Sequence, residues 1–153
     1  MLKYYLYLIL FGAFASTVSI AQTADSLTLE SQRTNSYYQK GLTLHAKSSF
    51  FDNEKDTTDL SDEVQVIFKG QHLRCKRATI NWRTNTIDAS GDVLIVSSKN
   101  SIGGSRVILD FETNTGIIYD GFVQSGSVLC EGSTLIKTSD VDFTAEDARY
   151  TTC

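Results

Sequence analysis

Ser61-Asp62-Glu63-Val64 runs on to Arg77-Ala78-Thr79-Ile80-Asn81-Trp82-Arg83-Thr84-Asn85-Thr86, and 29 residues later Ser90-Gly91-Asp92-Val93 runs on to Arg106-Val107-Ile108-Leu109-Asp110-Phe111-Glu112-Thr113-Asn114-Thr115. A gapless offset keeps Ser61/Ser90, Val64/Val93, Arg77/Arg106 and the Thr-Asn-Thr turn identical. It also keeps Val66/Ile95, Leu73/Ile102, Ile80/Leu109 and Trp82/Phe111 apolar. Self-similarity at this period marks stacked units that cannot bury an apolar face alone.

The unit is built from strands. Val64, Val66 and Phe68 alternate with Glu63, Gln65 and Ile67, a half-buried strand with one greasy face. Ala78, Ile80 and Trp82 share a face of the next strand, and Val107, Leu109 and Phe111 take that face one repeat later. Thr84-Asn85-Thr86 and Thr113-Asn114-Thr115 are turns, because asparagine tolerates positive φ and bonds its own backbone. A third, looser unit sets Phe122 to Gln124 against Val93 to Ile95 and Thr134-Leu135-Ile136 against Val107-Ile108-Leu109. Leu42 to Ala46 is a short opening strand and Val141 to Ala145 the last confident one, with Asp52 to Asp59 a charged connector. The chain has no proline, and short strands at 8 to 12 residue spacing specify an all-β sandwich, jelly roll or solenoid.

Residues 1–21 carry the marks of a secretory signal: Lys3, an apolar run from Leu6 to Phe14, and Ser19-Ile20-Ala21 as a small-x-small cleavage site. Ser16, Thr17 and Ser19 interrupt the run before it reaches the roughly 20 apolar residues of a spanning helix. Residues 22–40 are rich in Ser, Thr, Gln and Asn without apolar periodicity, a mobile lead-in, so the domain spans 41–153. Without Lys3 the basic count is 14 − 1 = 13 against 18 acids, a mature net charge of −5. That balance argues against nucleic acid, whose phosphates call for a basic stripe. Lys69, Arg74, Lys76, Arg77 and Arg106 cluster in the repeats, either as a solvated edge that discourages aggregation or as local phosphate contacts.

Catalytic signals are few. His45 and His72 are the only histidines. His72 and Cys75 lie three apart, which on a strand sends them to opposite faces, so no metal site is expected. Asp59, Asp62 and Glu63, like Asp140 and Asp142, fit solvated turns better than acid/base pairs. No Ser/His/Asp order, phosphate loop or H-E-x-x-H motif occurs, and neither an enzyme nor a cofactor is expected. Cys75 and Cys130 fall at nearly matching positions of the first and third units, which leaves a disulfide staple or two buried thiols open. Cys153 is the odd cysteine.

Ala89-Ser90-Gly91-Asp92-Val93, followed by Gly103-Gly104-Ser105, resembles the recurring small-x-Gly-Asn-Val turn of the OstA-like periplasmic domain of lipopolysaccharide transport proteins. Ala148-Arg149-Tyr150-Thr151-Thr152-Cys153 resembles the close of that domain in the LptD N-terminal members, with the LptA members next in likeness. The chain departs from the pattern at Ser61-Asp62-Glu63-Val64, which lacks the glycine, and at Gln22, where a lipoprotein would carry cysteine. The resemblance covers 41–153 and implies a β-jelly roll of two facing antiparallel sheets that gape. It implies a periplasmic protein that takes lipopolysaccharide acyl chains into an apolar slot lined by Val64, Val66, Phe68, Ile80, Trp82, Val93, Ile95, Leu109, Phe111, Ile118 and Phe122. Phosphates would stay at the rim near Arg77 and Arg106. It further implies end-to-end docking of jelly rolls by strand addition, with Leu42 to Ala46 and Phe143 to Thr151 as edges. Cys153 would be an unpaired or inter-domain thiol, with a separately encoded outer-membrane barrel, an interrupted gene and a stand-alone module all left open. The alternative is a β-solenoid scaffold with a closed core.

Overall fold

A computed structural model of the chain describes residues 35–152. The signal segment 1–21, most of the lead-in and Cys153 lie outside them. The described residues form eleven strands and no helix: β1 (Asn35–Gln39), β2 (Leu42–Ala46), β3 (Ser48–Asp52), β4 (Thr57–Phe68), β5 (Gln71–Asn81), β6 (Thr86–Val96), β7 (Ser101–Asp110), β8 (Thr115–Ser125), β9 (Val128–Lys137), β10 (Phe143–Glu146) and β11 (Arg149–Thr152). All pairings are antiparallel, in the order β1-β2-β4-β5-β6-β7-β8-β9-β10, with β3 beside β4 and β11 beside β9.

The long strands bend at mid-length. Register shifts fall between Ser61 and Val64, Arg74 and Arg77, and Ser90 and Val93. At the bend the backbone is left-handed: Asp62 (φ 61°), Glu63 (φ 54°), Gly91 (φ 80°), Asp92 (φ 53°) and Asp120 (φ 45°). Such bulges turn a strand without ending its ladder. One continuous ladder thereby folds into the two facing sheets of a jelly roll, with the bends as its corner. Sheet I holds β1, β2, β11 and the halves of the long strands nearest the turns at 69–70, 97–100 and 126–127. Sheet II holds β3, β10 and the other halves. The outermost strands break where the inner ones bulge: β2 and β3 flank Lys47 and share β4, and β10 and β11 share β9.

Ser-Gly-Asp-Val is therefore the corner inside β6 rather than a turn between strands. The same holds for Ser61-Asp62-Glu63-Val64 inside β4, where two acidic residues adopt the left-handed geometry without glycine.

The period extends further than sequence identity does. Asp52, Asn81 and Asp110 each accept two backbone N–H groups of the following turn at 2.8–3.2 Å through side-chain Oδ1, and the Ser139 hydroxyl does the same at 3.1–3.2 Å. Asp56, Asn85 and Asn114 then close those turns with φ of 56°, 58° and 59°. Only the Thr-Asn-Thr part is visible as an exact match; exchanges among Asp, Asn and Ser hide the rest although each side chain does the same work.

Two other readings change. The sheet begins at Asn35, inside the segment read as lead-in, because β1 pairs β2 through backbone groups and needs no apolar periodicity. Leu42 to Ala46 is accordingly an interior strand, paired with β1 and β4. The outer strands at that end are β1 and β3, and β3 presents Phe50 (64 % exposed) and Phe51.

The corner geometry predicts opposite outcomes for two substitutions. Gly91→Ala forces a Cβ into a left-handed residue, 2.9 Å from Cβ of Lys76, and lowers stability by about 1–2 kcal/mol. Asp62→Gly relieves the same strain at the equivalent corner and raises stability by roughly 0.5–1 kcal/mol after the entropy glycine costs. Urea denaturation followed by Trp82 fluorescence reads both; equal shifts of the same sign would refute the corner assignment.

Candidate functional site

Side chains facing inward from both sheets form one apolar interior. Val64, Val66, Phe68, Val93 and Ile95 enter from sheet I, and Ile80, Trp82, Leu109, Phe111 and Ile118 from sheet II, all at most 4 % exposed. They are joined by Leu42, Leu44, Leu60, Leu73, Ile87, Ile102 and Leu135. Each such side chain contributes about 1.5–3 kcal/mol by leaving water. Trp82 and Phe111, one repeat apart, meet edge to face with centroids 6.2 Å apart, a favoured aromatic geometry. The indole N–H of Trp82 donates to the buried Thr58 hydroxyl at 2.7 Å, so the interior's one indole dipole is satisfied.

Phe122 is the exception among the expected slot residues. Two left-handed residues form the corner at Asp62-Glu63 and at Gly91-Asp92, but Asp120 alone forms it in β8. The missing residue moves the inward phase to Gly121 and Val123 and puts Phe122 on the outer face. There it pairs with Gly103, where a Cβ would lie 2.4 Å from the Phe122 ring. The ring is half-buried because it lies over a residue without a side chain. A cleft of about 420 Å³ beside it is lined by Asp120, Glu131, Ser133, Asp147 and Arg149 as well as Phe122.

Arg77 and Arg106 stand outward next to the corner. Arg106 donates from Nε to Asp88 at 2.8 Å and pairs with the same carboxylate through Nη2, which raises its pKa by hydrogen bonding and by charge. Cys75 and Cys130 are free thiols rather than a staple. They sit on β5 and β9 with β6, β7 and β8 between them, four strand spacings of about 4.8 Å, far beyond a disulfide's reach. Cys153 lies outside the described residues. Among the described residues no group of three or more His, Cys, Asp and Glu could hold a metal.

Opposite the corner the two sheets meet along a seam of turns, and a side-chain donor crosses it at each level. Lys40 Nζ donates to the Trp82 carbonyl at 2.7 Å and to Asn85 Oδ1 at 3.2 Å. Lys69 Nζ donates to the Glu112 carbonyl. Asn100 Nδ2 donates to the Asp140 carbonyl at 3.1 Å. Along the sheet II lip, the Asp56 carbonyl takes the Trp82 N–H and the Asn85 carbonyl the Phe111 N–H, each at 2.9 Å. The Asn114 carbonyl takes the buried Lys137 ammonium instead, at 2.6 Å. The inward apolar residues were legible from alternation; the seam was not, since its donors reach backbone carbonyls some forty residues away.

No family model and no curated protein matches this chain. Among solved structures, LptH of Pseudomonas aeruginosa, the LptA-homologous periplasmic component of the lipopolysaccharide transport device, superposes with a TM-score of 0.66 at 12 % identity. The match covers 73 % of this chain and 94 % of LptH. The architecture of this chain is thus the LptA-like jelly roll, the fold implied by the OstA-like resemblance.

Burial raises the Cys75 thiol from 9.0 to about 11, partly offset by hydrogen bonding with the backbone of Ser90 and Arg77. Since the folded value lies above the unfolded one, the stability this residue contributes is present in full below pH 9 and is lost as pH rises through about 11. At pH 8 in native buffer, iodoacetamide is expected to modify the half-buried Cys130 and to spare Cys75 until urea unfolds the domain. Peptide mass mapping checks this, and rapid native labelling of Cys75 would contradict its burial.

Proposed function

We propose that the chain is an exported, non-catalytic module of lipopolysaccharide transport, of the LptD N-terminal kind, which takes acyl chains between its sheets in the periplasm and passes them toward the outer membrane. The observation that carries this reading is the apolar interior running the length of an LptA-like jelly roll. Acyl chains carry no hydrogen-bonding groups, so an all-apolar interior holds them at roughly 0.8 kcal/mol per CH₂ removed from water without fixing their position. A weakly specific hold lets a chain slide from one repeat to the next. The residues assigned to it are Val64, Val66, Phe68, Ile80, Trp82, Val93, Ile95, Leu109, Phe111 and Ile118.

The strands at the two ends support docking to other jelly rolls. The outer sides of β1 and β3 at one end, and of β10 and β11 at the other, have no further strand beside them among the described residues. Strand addition supplies backbone hydrogen bonds, and exposed Phe50 and Tyr150 supply side-chain contacts.

The interior side chains are buried, as a closed-core scaffold's would also be, so the two readings separate only by ligand. A photoreactive residue in place of Trp82 or Phe111 is expected to crosslink to lipopolysaccharide in cells, and one in place of the outward Arg74 or Thr79 to give no adduct. Asn81 and Asp110 are unsuitable controls because they hold the turns. No adduct at the inward positions, in a protein shown to be folded and periplasmic, would favour the scaffold.

A further inference from the structure

The two lips of the seam carry opposite chemistry. The sheet I lip presents Lys40, Lys69 and Lys99, one lysine per repeat, in the turns at 40–41, 69–70 and 97–100. The facing lip presents Asp56, Glu112 and Asp140 with the amides of Asn85 and Asn114. Elsewhere the lysines are neutralised: Lys47 meets Glu63, Lys55 meets Asp52, Lys76 meets Asp92 at 2.7 Å, and Lys137 lies 3.9 Å from Asp140. Lys40 and Lys69 instead spend their ammonium groups on neutral oxygens, the carbonyls of Trp82 and Glu112 and the amide of Asn85. The Glu112 carboxylate itself is engaged by the Asn85 amide rather than by Lys69.

We infer that the lysine lip of Lys40, Lys69 and Lys99 is the phosphate-reading line of the molecule. It takes the anionic headgroup of an acylated amphiphile whose chains lie between the sheets. The inference rests on the acyl-chain reading above and replaces Arg77 and Arg106 as the headgroup contacts, since both stand at the corner, across the molecule from the seam. At the seam the backbone neither continues nor pairs from one sheet to the other, so this is the side on which a chain held inside keeps its headgroup in water. A phosphate oxygen carries full charge and outbids a neutral carbonyl for an ammonium. Binding therefore exchanges the cross-seam bonds of Lys40 and Lys69 for phosphate and loosens the seam at the level where the chain enters. Successive lysines are two strand spacings apart, about 9.5 Å, so neighbouring repeats offer a phosphate the same partner in turn.

The test compares binding of bis-phosphorylated lipid A and of enzymatically dephosphorylated lipid A to the mature chain, read by Trp82 fluorescence at low salt. The triple variant Lys40→Gln, Lys69→Gln, Lys99→Gln should lose about tenfold or more affinity for the phosphorylated form and keep wild-type affinity for the dephosphorylated one. Arg77→Gln with Arg106→Gln should bind both forms as wild type does. Retained binding of the dephosphorylated form shows the triple variant to be folded. Equal loss of both forms would make the lysines merely structural and overturn the inference, as would unchanged binding of the phosphorylated form. Failure of the unmodified chain to bind either form would overturn the acyl-chain reading and this inference with it.

Discussion

A β-strand can enter two facing sheets only if it bends sharply without giving up its neighbours, and every other feature of this molecule follows from how that bend is made. Paired left-handed residues at Asp62-Glu63 and Gly91-Asp92, and a single one at Asp120, let successive strands turn at the same level. Because each long strand from β4 to β9 spans both sheets, each repeat contributes to both walls of the interior, and adding a repeat lengthens the apolar core without widening it. The strain is modest per residue, on the order of 1–2 kcal/mol for a non-glycine in the left-handed region. The burial of Val64, Ala78, Val93 and Val107 beside the corners outweighs it.

The corner also explains which parts of the fold were legible. Alternation with period two survives within each half-strand, so Val64, Val66, Ile80, Trp82, Leu109 and Phe111 are recognisable as inward residues. It does not survive across the bend, where an unpaired residue resets the phase. Hence Ser-Gly-Asp-Val reads as a turn between strands, and Phe122 reads as inward because the gapless offset assumes a two-residue corner that β8 lacks. Strand β1 escapes pattern reading because its sequence, Asn-Ser-Tyr-Tyr-Gln, carries no apolar alternation, although its backbone pairs with β2 along its length.

The seam is a different kind of boundary from the corner. At the corner the two sheets are joined by continuous chain and by ladders that run through it. At the seam they are joined by one donor per level, from Lys40, Lys69 and Asn100. Ladder bonds act cooperatively along a strand, whereas a lysine on a flexible stem can release one acceptor and take another with little rearrangement of the backbone. The molecule therefore has a stiff side and a side built from exchangeable bonds. Its exposed lysine stems carry the only positive charge that spans this line without a carboxylate partner among the described residues with a cross-seam bond.

How the stack stops is as informative as how it repeats. Two carbonyls of the sheet II lip, from Asp56 and Asn85, receive the N–H of the next turn, but the turn held by Ser139 sends no N–H to the Asn114 carbonyl among the described residues. Lys137 is drawn in to serve its carbonyl and that of Ser139, at 2.6 and 2.8 Å, and its ammonium stands over the Phe143 ring at 5.9 Å. Burial lowers its pKa, opposed by the charge of Asp140, so holding this ion inside has a cost that the two carbonyl bonds and the ring offset. Nearby, Asn114 Oδ1 is buried without a hydrogen-bond partner, a second sign that the repeat's bonding pattern is interrupted here. The seam side of this end is thus closed by a built cap, while the β10 and β11 edges beyond it keep their backbone groups turned outward. A stack finished in this way closes its seam at the last lip yet leaves its strand edges unpaired among the described residues.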